Sequence, residues 1–353
     1  MKILVNDVAA SYGGAMEVLK DFYYFIANDA ECKKHQWILL LSDSYLEDRL
    51  NIHVISMPEV KKNWIHRLLF DIRTIKKIAE ENQVDCVISL QNILGFGLKK
   101  KCCVYIHQSI PFQTQKKFSF LKKTERIFAV YQYLIGFLIK QSAKKADVVA
   151  VQTNWMKKAV SQMTPCAPDK IVVVDFDMDN GSVQVESTSQ FVDGRVFFYP
   201  AFQSIYKNQM LIDQACCELE RRGINNIKVK LTTQDTYISK LIEPIGRISR
   251  DEVETMYRKS VLIFPSYIET IGLPLKEAAR CGAIILAADC EYVHETLNNY
   301  NNVYYFDPFN AMQLADLMHK VVLHKIVLQP SNYTAKHNNG WSVMIERILN
   351  LDL

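Results

Sequence analysis

Two doubly wound α/β lobes are what this sequence predicts, and three observations predict them. At 353 residues the chain is long for one domain and comfortable for two, each able to bury its own core. Short, β-branched apolar runs alternate with longer helical stretches from one end to the other, the pattern of parallel sheets covered on both faces. Near the middle, the stretch Asp179 to Gly194 (DNGSVQVESTSQFVDG) is polar, holds two glycines and lacks helical apolar periodicity. It reads as the linker. The expected division is residues 1–180 for the first lobe, 195–330 for the second, and 331–353 for a terminal segment ending in a short helix.

Taken in order, the strands expected in the first lobe are Lys2–Asp7, Trp37–Ser42, Asn51–Met57, Asp85–Leu90, Cys102–His107, Asp147–Gln152 and Lys170–Val174, with helices over Met16–Asn28, Trp64–Asn82 and Trp155–Met163. The second lobe repeats the theme. Its strands are Arg195–Tyr199, Ile227–Thr232, Val261–Phe264, Ala283–Ala287 and Val303–Phe306, and its helices Asn208–Arg222, Asp251–Arg258, Leu275–Cys281 and Ala311–Leu323. Two such lobes on one linker are expected to face a central cleft. Ligands of open parallel sheets bind beyond the carboxyl ends of the strands, so the chemistry is expected in loops that directly follow strands.

Composition removes several function classes. The 42 Lys and Arg against 38 Asp and Glu give a net charge of +4, too small to imply nucleic acid, and no basic stripe with interleaved aromatics appears. The nine cysteines include the adjacent pairs Cys102-Cys103 and Cys216-Cys217 but no CxxC. Neighbours in a strand point to opposite faces and cannot converge on one metal, so reduced thiols in a cytoplasmic protein are expected. Met1 to Ala10 passes from three apolar residues to Asn6 and Asp7 and is not expected to be a secretory signal.

The most informative stretch is Val261–Ala288, VLIFPSYIETIGLPLKEAARCGAIILAA. It reads as a buried strand, a loop holding Glu269, a helix opening at Gly272-Leu273-Pro274, and a second strand. Proline suits a first helical turn, where its missing N–H is no loss, and Gly282 suits the left-handed stop after the helix. The backbone N–H groups of Thr270, Ile271, Gly272 and Leu273 then lie at a helix N-terminus, where partial positive charge favours phosphate. Glu269 and Glu277, with seven residues between them, frame that point; carboxylates are poor phosphate ligands but good acceptors for sugar hydroxyls. On spacing alone, a loop surface charge and a first-turn residue favoured by the helix dipole account for them equally well.

Three further features stand outside this stretch. Gly13 and Gly14 follow the first strand and precede a helix, as glycines do where backbone approaches a ligand or simply turns tightly; the pattern is not GxGxxG, which speaks against a nicotinamide enzyme. His107 ends the strand CCVYIHQ, at the edge where ligands bind, and is either a site residue or a structural histidine. Asp175-Phe176-Asp177 and Asp177-Met178-Asp179 both spell DxD, yet they sit at the mouth of the linker with no further ligand cluster, so no metal is expected.

The segment PSYIETIGLPLKEAARCGAIILAAD resembles the donor-binding segment of glycosyltransferase family 4, retaining enzymes of GT-B architecture with a Glu-x7-Glu motif in this loop and helix. The resemblance extends to Glu291–Glu295, to Val303–Pro308 (VYYFDP), to Ile245–Ser249, and to VNDVAASYGGAMEVLKDF near the start. It covers roughly the whole chain and is most specific over residues 199 to 308. It implies two Rossmann-like lobes in the GT-B arrangement, the terminal helix crossing back to the first lobe, which would bind the acceptor. It implies that Glu269 contacts the donor sugar, Glu277 the ribose, and the backbone of Ile271 and Gly272 the pyrophosphate. Lys207, in FYPAFQSIYKNQMLI, matches the lysine that neutralises the departing diphosphate. His107 occupies a position where the family often has a histidine near the reacting carbon. One departure stands out: the family usually has an arginine five or six residues before that lysine, and Phe202 and Ala201 are found here. Arg247, in the segment that borders the nucleobase, is the available substitute.

The expected activity is therefore retaining glycosyl transfer from a UDP- or GDP-linked sugar to a glycan or lipid-linked glycan, with no cofactor required, in bacterial surface polysaccharide assembly. Rival readings are a nucleotide-sugar epimerase or hydrolase on the same fold, and a degenerate scaffold, which the absent arginine favours. Lys116–Lys145 is basic at both ends and apolar in the middle; its apolar core, Ile127–Ile139, is thirteen residues, too short to span a bilayer. It reads equally as a peripheral contact with an anionic inner membrane face or as a buried helix pair with a solvated basic side.

Overall fold

The computed structural model describes the whole chain apart from residues 12, 176–193, 327, 330–332, 334–339 and 352–353. The linker expected at Asp179–Gly194 and the aspartates Asp177 and Asp179 of the DxD pairs thus lie, Gly194 apart, outside the described residues. The chain forms two compact units, one of Met1–Phe120, Arg126–Asn180 and His337–Leu353, the other of Leu121–Glu125 and Gly181–Lys336.

The first unit is a seven-stranded parallel sheet in the order β3-β2-β1-β4-β5-β6-β7. Its strands are β1 (Lys2–Asp7), β2 (Gln36–Leu41), β3 (Ile52–Ser56), β4 (Cys86–Ser89), β5 (Lys101–Ile106), β6 (Val148–Val151) and β7 (Ile171–Val173). Its helices are α1 (Gly13–Asn28), α2 (Trp64–Leu69), α3 (Ile75–Glu81), α4 (Arg126–Ala129), α5 (Gly136–Lys145) and α6 (Asn154–Met163). π turns over Phe70–Thr74 and Val130–Ile135 join α2 to α3 and α4 to α5. Helices cover both faces of the sheet, so successive strand residues are buried whichever way they point: Ile3, Leu4 and Val5 are all inaccessible, as is the neighbouring pair Cys102-Cys103 almost completely. All nine cysteines are free thiols, seven of them buried.

The second unit carries a six-stranded parallel sheet in the order β10-β9-β8-β11-β12-β13. These are β8 (Val196–Tyr199), β9 (Lys228–Leu231), β10 (Ile242–Pro244), β11 (Val261–Phe264), β12 (Ile285–Ala288) and β13 (Val303–Phe306), with helices α7 (Gln209–Arg221), α8 (Arg250–Lys259), α9 (Leu273–Arg280), α10 (Glu291–Thr296) and α11 (Ala311–Val322). The two-lobed α/β architecture of parallel sheets is the one the sequence predicts. β10 was not expected, because its three residues end in a proline; such a residue is admissible only where one side of the strand is unpaired, and β10 is an edge strand. α10 is a further helix, absent from those expected.

The final helix, α12 (Gly340–Leu349), packs on β6 and β7 of the first sheet. Trp341 anchors it: the indole N–H donates to Asp21 Oδ2 at 2.6 Å, and the ring lies 4.9 Å from that of Phe22 and 5.3 Å from that of Tyr105. The helix starts at Gly340, two residues before the expected Ser342, and sterics require a glycine there. A Cβ at Gly340 would stand 2.5 Å from Val174 Cα, and backbone cannot yield as a side chain can. Gly340→Ala is therefore expected to destabilise the protein by about 1–3 kcal/mol, read as a lower urea midpoint at unchanged slope. Wild-type stability in that variant would show that α12 does not dock this closely.

Candidate functional site

In the second sheet the strand order reverses between β8 and β11, and the loops leaving these two strands carry Lys207 and Glu269, each singled out by the family resemblance. Beyond β8 the chain runs to a short 3₁₀ turn, Ile205–Lys207, then through Asn208 in the left-handed conformation (φ 61°) into α7. Asparagine tolerates that conformation better than most residues. Its side-chain amide donates to Pro308 O at 2.7 Å and Pro265 O at 3.3 Å, tying together the loops that follow β8, β11 and β13. The β11 loop is fastened to the β8 loop a second time, because Tyr267 N donates to Tyr206 O at 3.1 Å.

This scaffold brings Lys207 Nζ onto Glu269 Oε1 as a direct ion pair, with most of both side chains out of water. Ser266 Oγ donates to the same carboxylate oxygen at 2.9 Å. The ammonium also lies 5.1 Å from the Phe202 ring centre and 5.8 Å from that of Tyr206, where the negative ring faces add to its stabilisation. Phe202 is thus a neighbour of the lysine at the position where the family's arginine is absent. Burial, with the Glu269 charge added, pushes the Tyr206 phenol up to about 12, so it stays neutral.

Three residues past Glu269, Gly272 adopts φ 78° and opens α9 with Pro274 in its first turn. A side chain at Gly272 would be strained by that φ and would also press Leu275 Cδ1 at 3.0 Å and Tyr292 Cε2 at 3.2 Å. The turn is braced from behind. Tyr292 Oη donates to Ser266 O and Thr296 Oγ1 to Ile271 O, both at 2.5 Å. Thr270, Ile271, Gly272 and Leu273 accordingly lie where predicted, at the amino end of a helix beginning two residues earlier than the expected Leu275. Gly282 takes the left-handed φ of 71° just past its end.

Glu277 sits beyond the first turn of α9, so the first-turn dipole reading does not apply to it. Its carboxylate accepts from Tyr257 Oη at 2.9 Å. Burial and the Glu277 charge hold the Tyr257 phenol well above its ordinary range, which makes it a permanent donor. On the expectation from the family resemblance that Glu277 meets the donor's ribose, Tyr257→Phe should raise KM for the donor about fivefold, the worth of roughly 1 kcal/mol, with kcat little changed. An unchanged KM would remove Tyr257 from the site.

Arg247 lies exposed in the turn after the edge strand β10 and is not joined to the Lys207–Glu269 pair. In the first unit, Gly13 (φ 64°) and Gly14 begin α1, and added Cβ atoms there would meet nothing within 4 Å, so the chain is open beside them. His107 follows β5. Asn92, left-handed at φ 70°, accepts from the backbone N–H of His107 at 2.7 Å and of Gln108 at 2.9 Å. The His107 ring Nδ1 is buried with no partner, and desolvation lowers the imidazole to about 4, so it is neutral at physiological pH.

Sequence reasoning missed Ser266, Tyr257 and the two asparagines Asn92 and Asn208, whose only local signal is an amide-bearing residue between a strand and the next element. It also missed Asp7, at the carboxyl end of β1. That carboxyl is buried with Oδ1 unpartnered, and burial raises it to about 7 despite the nearby cations Arg67 and Lys61. Among the described residues no three His, Cys, Asp or Glu side chains are grouped to hold a metal ion.

Comparison with known proteins accords with this geometry. Residues 222–337, which include Arg247, Glu269 and α9, match the family described as Glycosyl transferases group 1. The O-antigen chain mannosyltransferase RfbU of Salmonella typhimurium is 22% identical over 224 residues, 60% of this chain and 62% of that protein, so the likeness spans less than two thirds of the relative's length. Among solved structures, WaaG, a glycosyltransferase involved in lipopolysaccharide biosynthesis, superposes with a TM-score of 0.63 at 13% identity, covering 92% of this chain and 90% of its own. Alr3699/HepE of Anabaena, solved with UDP-glucose, gives 0.60 at 15% identity, covering 98% and 95%. The fold is therefore the GT-B α/β fold of two parallel-sheet units, and residues 222–337 are similar to the glycosyl transferases of group 1.

Proposed function

We propose that this protein is a retaining glycosyltransferase of family 4, moving a sugar from a UDP- or GDP-linked donor to a glycan or lipid-linked glycan in bacterial surface polysaccharide assembly, at the cytoplasmic face of a membrane. The observation that carries the reading is the Lys207–Glu269 pair at the reversal point of the second sheet, beside the amino end of α9. In that role Lys207 neutralises the diphosphate as it departs, and the backbone N–H groups from Thr270 to Leu273 face its oxygens. Glu269, released from the lysine when the phosphates take it, accepts a hydroxyl of the donor sugar. Glu277, oriented by Tyr257, accepts from the ribose. Arg247, exposed beyond β10, supplies the second cation where Phe202 replaces arginine.

In the first lobe, Gly13 and Gly14 admit the donor's sugar end close to backbone. His107, kept neutral by burial, offers a hydrogen bond near the reacting carbon without adding charge there. Retention then follows from attack on the face the diphosphate leaves: the acceptor oxygen bonds to the anomeric carbon as its bond to the phosphate oxygen breaks, and the departing phosphate takes the acceptor's proton. The likeness to a structure holding UDP-glucose supports a nucleotide-sugar donor, and that to RfbU supports a polysaccharide acceptor.

A thermal-shift panel of UDP, GDP, ADP and CMP with their sugars tests the donor, since stabilisation follows affinity by mass action. Stabilisation by one uridine or guanosine diphosphate series is expected; no response to any nucleotide would leave the scaffold reading. Labelled donor incubated with and without acceptor separates a transferase from an epimerase, which interconverts donors with no acceptor present.

A further inference from the structure

One side of the Lys116–Lys145 segment is buried, with Ala129 and Ile139 inaccessible, but a line of its apolar side chains is not. Ile127, Tyr131, Leu134 and Phe137, three or four residues apart along α4, the π turn and α5, are all exposed, Leu134 and Phe137 by about 60%. A second helical stretch of the first unit behaves the same way. Asn63 caps α2, its side-chain oxygen accepting from the N–H groups of Ile65 and His66 at 3.0 Å each, and so sets Trp64, Leu68 and Ile72 on one line four residues apart. All three are exposed, Trp64 by 74%.

The two stretches are neighbours. Both belong to crossovers that advance in the same direction along the sheet, from β3 to β4 and from β5 to β6, and right-handed connections place such crossovers on one face. The loop after β4 lies between them: Leu94 N receives Ser142 Oγ of α5 as its acceptor at 3.0 Å, and Phe96 N donates to Asp71 O of the first π turn at 2.7 Å. Phe96 itself is exposed in that gap. A monomer seldom leaves so much contiguous apolar side chain in water without a use for it.

Charge selects the occupant. Residues 116–145 hold eight Lys and Arg against Glu125 alone, whereas the chain as a whole is only +4, so the rest of the molecule is net negative. Along α2 and α3 the cations are largely neutralised locally, by Arg67–Asp71, Lys76–Glu80 and Lys77–Glu81. Apolar side chains flanked by a strongly basic segment match a bilayer with anionic headgroups, where lysine and arginine stay at the phosphates and the apolar tips enter the acyl boundary. No helix among the described residues is long and apolar enough to cross a membrane.

We propose that Trp64–Ile72, Phe96 and Ile127–Phe137 form one surface of the first unit that docks on an anionic lipid bilayer. This deepens the glycosyltransferase reading by placing it at a lipid surface, and it is testable apart from it. Trp37, Trp155 and Trp341 are buried, so Trp64 is the exposed tryptophan of the four and intrinsic fluorescence reports it directly. The full chain is mixed with vesicles of phosphatidylcholine alone or with phosphatidylglycerol, and sedimentation and emission are recorded at low and high salt.

The expected result is binding to the anionic vesicles only, weakened by salt, with a blue-shifted emission that Trp64→Phe abolishes. Leu134→Ser with Phe137→Ser should lower partitioning at least tenfold. Lys117→Gln with Lys144→Gln should lower it by roughly tenfold or more. These are surface substitutions, and unchanged melting of each variant checks that it folds. Absence of vesicle binding by a chain still stabilised by its nucleotide would overturn the docking surface and leave the transferase reading intact. A concentration-dependent dimer that the Leu134→Ser, Phe137→Ser variant dissociates would overturn it too, by giving the face to a second copy.

Discussion

Replacing Lys207 by methionine is expected to lower kcat by about 10²–10³, with a smaller change in donor affinity. The ammonium is held at the reversal point of the second sheet by Glu269 and by the ring faces of Phe202 and Tyr206, already dry and already aimed. A charge preorganised in that way is worth more to a departing diphosphate than one that must shed water as the bond breaks. The substitution also leaves Glu269 as a mostly buried carboxylate that keeps the Ser266 hydroxyl but loses its counter-charge, so a fall in stability of about 2 kcal/mol should accompany it. The two effects separate in the double variant Lys207→Met, Glu269→Gln. Removing both charges should restore most of the melting temperature and none of the turnover. Recovery of activity together with stability would mean that the pair is structural, and the assignment of the site would fall with it.

The second large effect concerns stability and pH. Asp7 in the folded protein titrates near 7 against 3.8 for an ordinary aspartate, because burial penalises its charged form more than Arg67 and Lys61 favour it. Between those values the folded state binds the proton that the unfolded state has lost, so this group makes stability fall as pH rises from about 4 to 7, with the full penalty present above 7. At about 1.4 kcal/mol per unit the penalty is at most about 4 kcal/mol. Asp7→Asn, which keeps an oxygen acceptor but no charge, should therefore be more stable than the parent by about 2–4 kcal/mol at pH 8 and nearly equal to it at pH 4. Urea denaturation at the two pH values measures this. A variant less stable than the parent at pH 8 would show that Asp7 is held charged by its cations. His107 contributes with the opposite slope: its pKa is lowered by burial to about 4, so the stability it confers is complete above about 6.5 and is lost as pH falls toward 4.

Much of the molecule was legible in the order of its residues. Strands such as Val261–Phe264 and Val148–Val151 are unbroken apolar runs because both faces of a parallel sheet are covered, and a run of that kind announces itself without any partner. The turn into α9 was legible for a similar reason: Gly272, Pro274 and Gly282 have backbone requirements that are local, and they mark the helix wherever it packs. The spacing of Glu269 and Glu277 came from the same local grammar.

What only the tertiary structure decided is which groups face one another. Lys207 and Glu269 are 62 residues apart, Tyr257 and Glu277 20, and Trp341 and Asp21 320, and no periodicity encodes those meetings. They follow from strand order, since the loops that leave β8 and β11 become neighbours only once the sheet has placed the two strands side by side. Burial is decided in the same way. Nothing in the composition of α2 or of Ile127–Phe137 distinguishes a core face from an exposed one, and the raised carboxyl of Asp7 exists because the sheet and its helices close around a residue that would otherwise be an ordinary acid. Backbone geometry is a property of short stretches and can be read from them, whereas desolvation and pairing belong to the assembled interior.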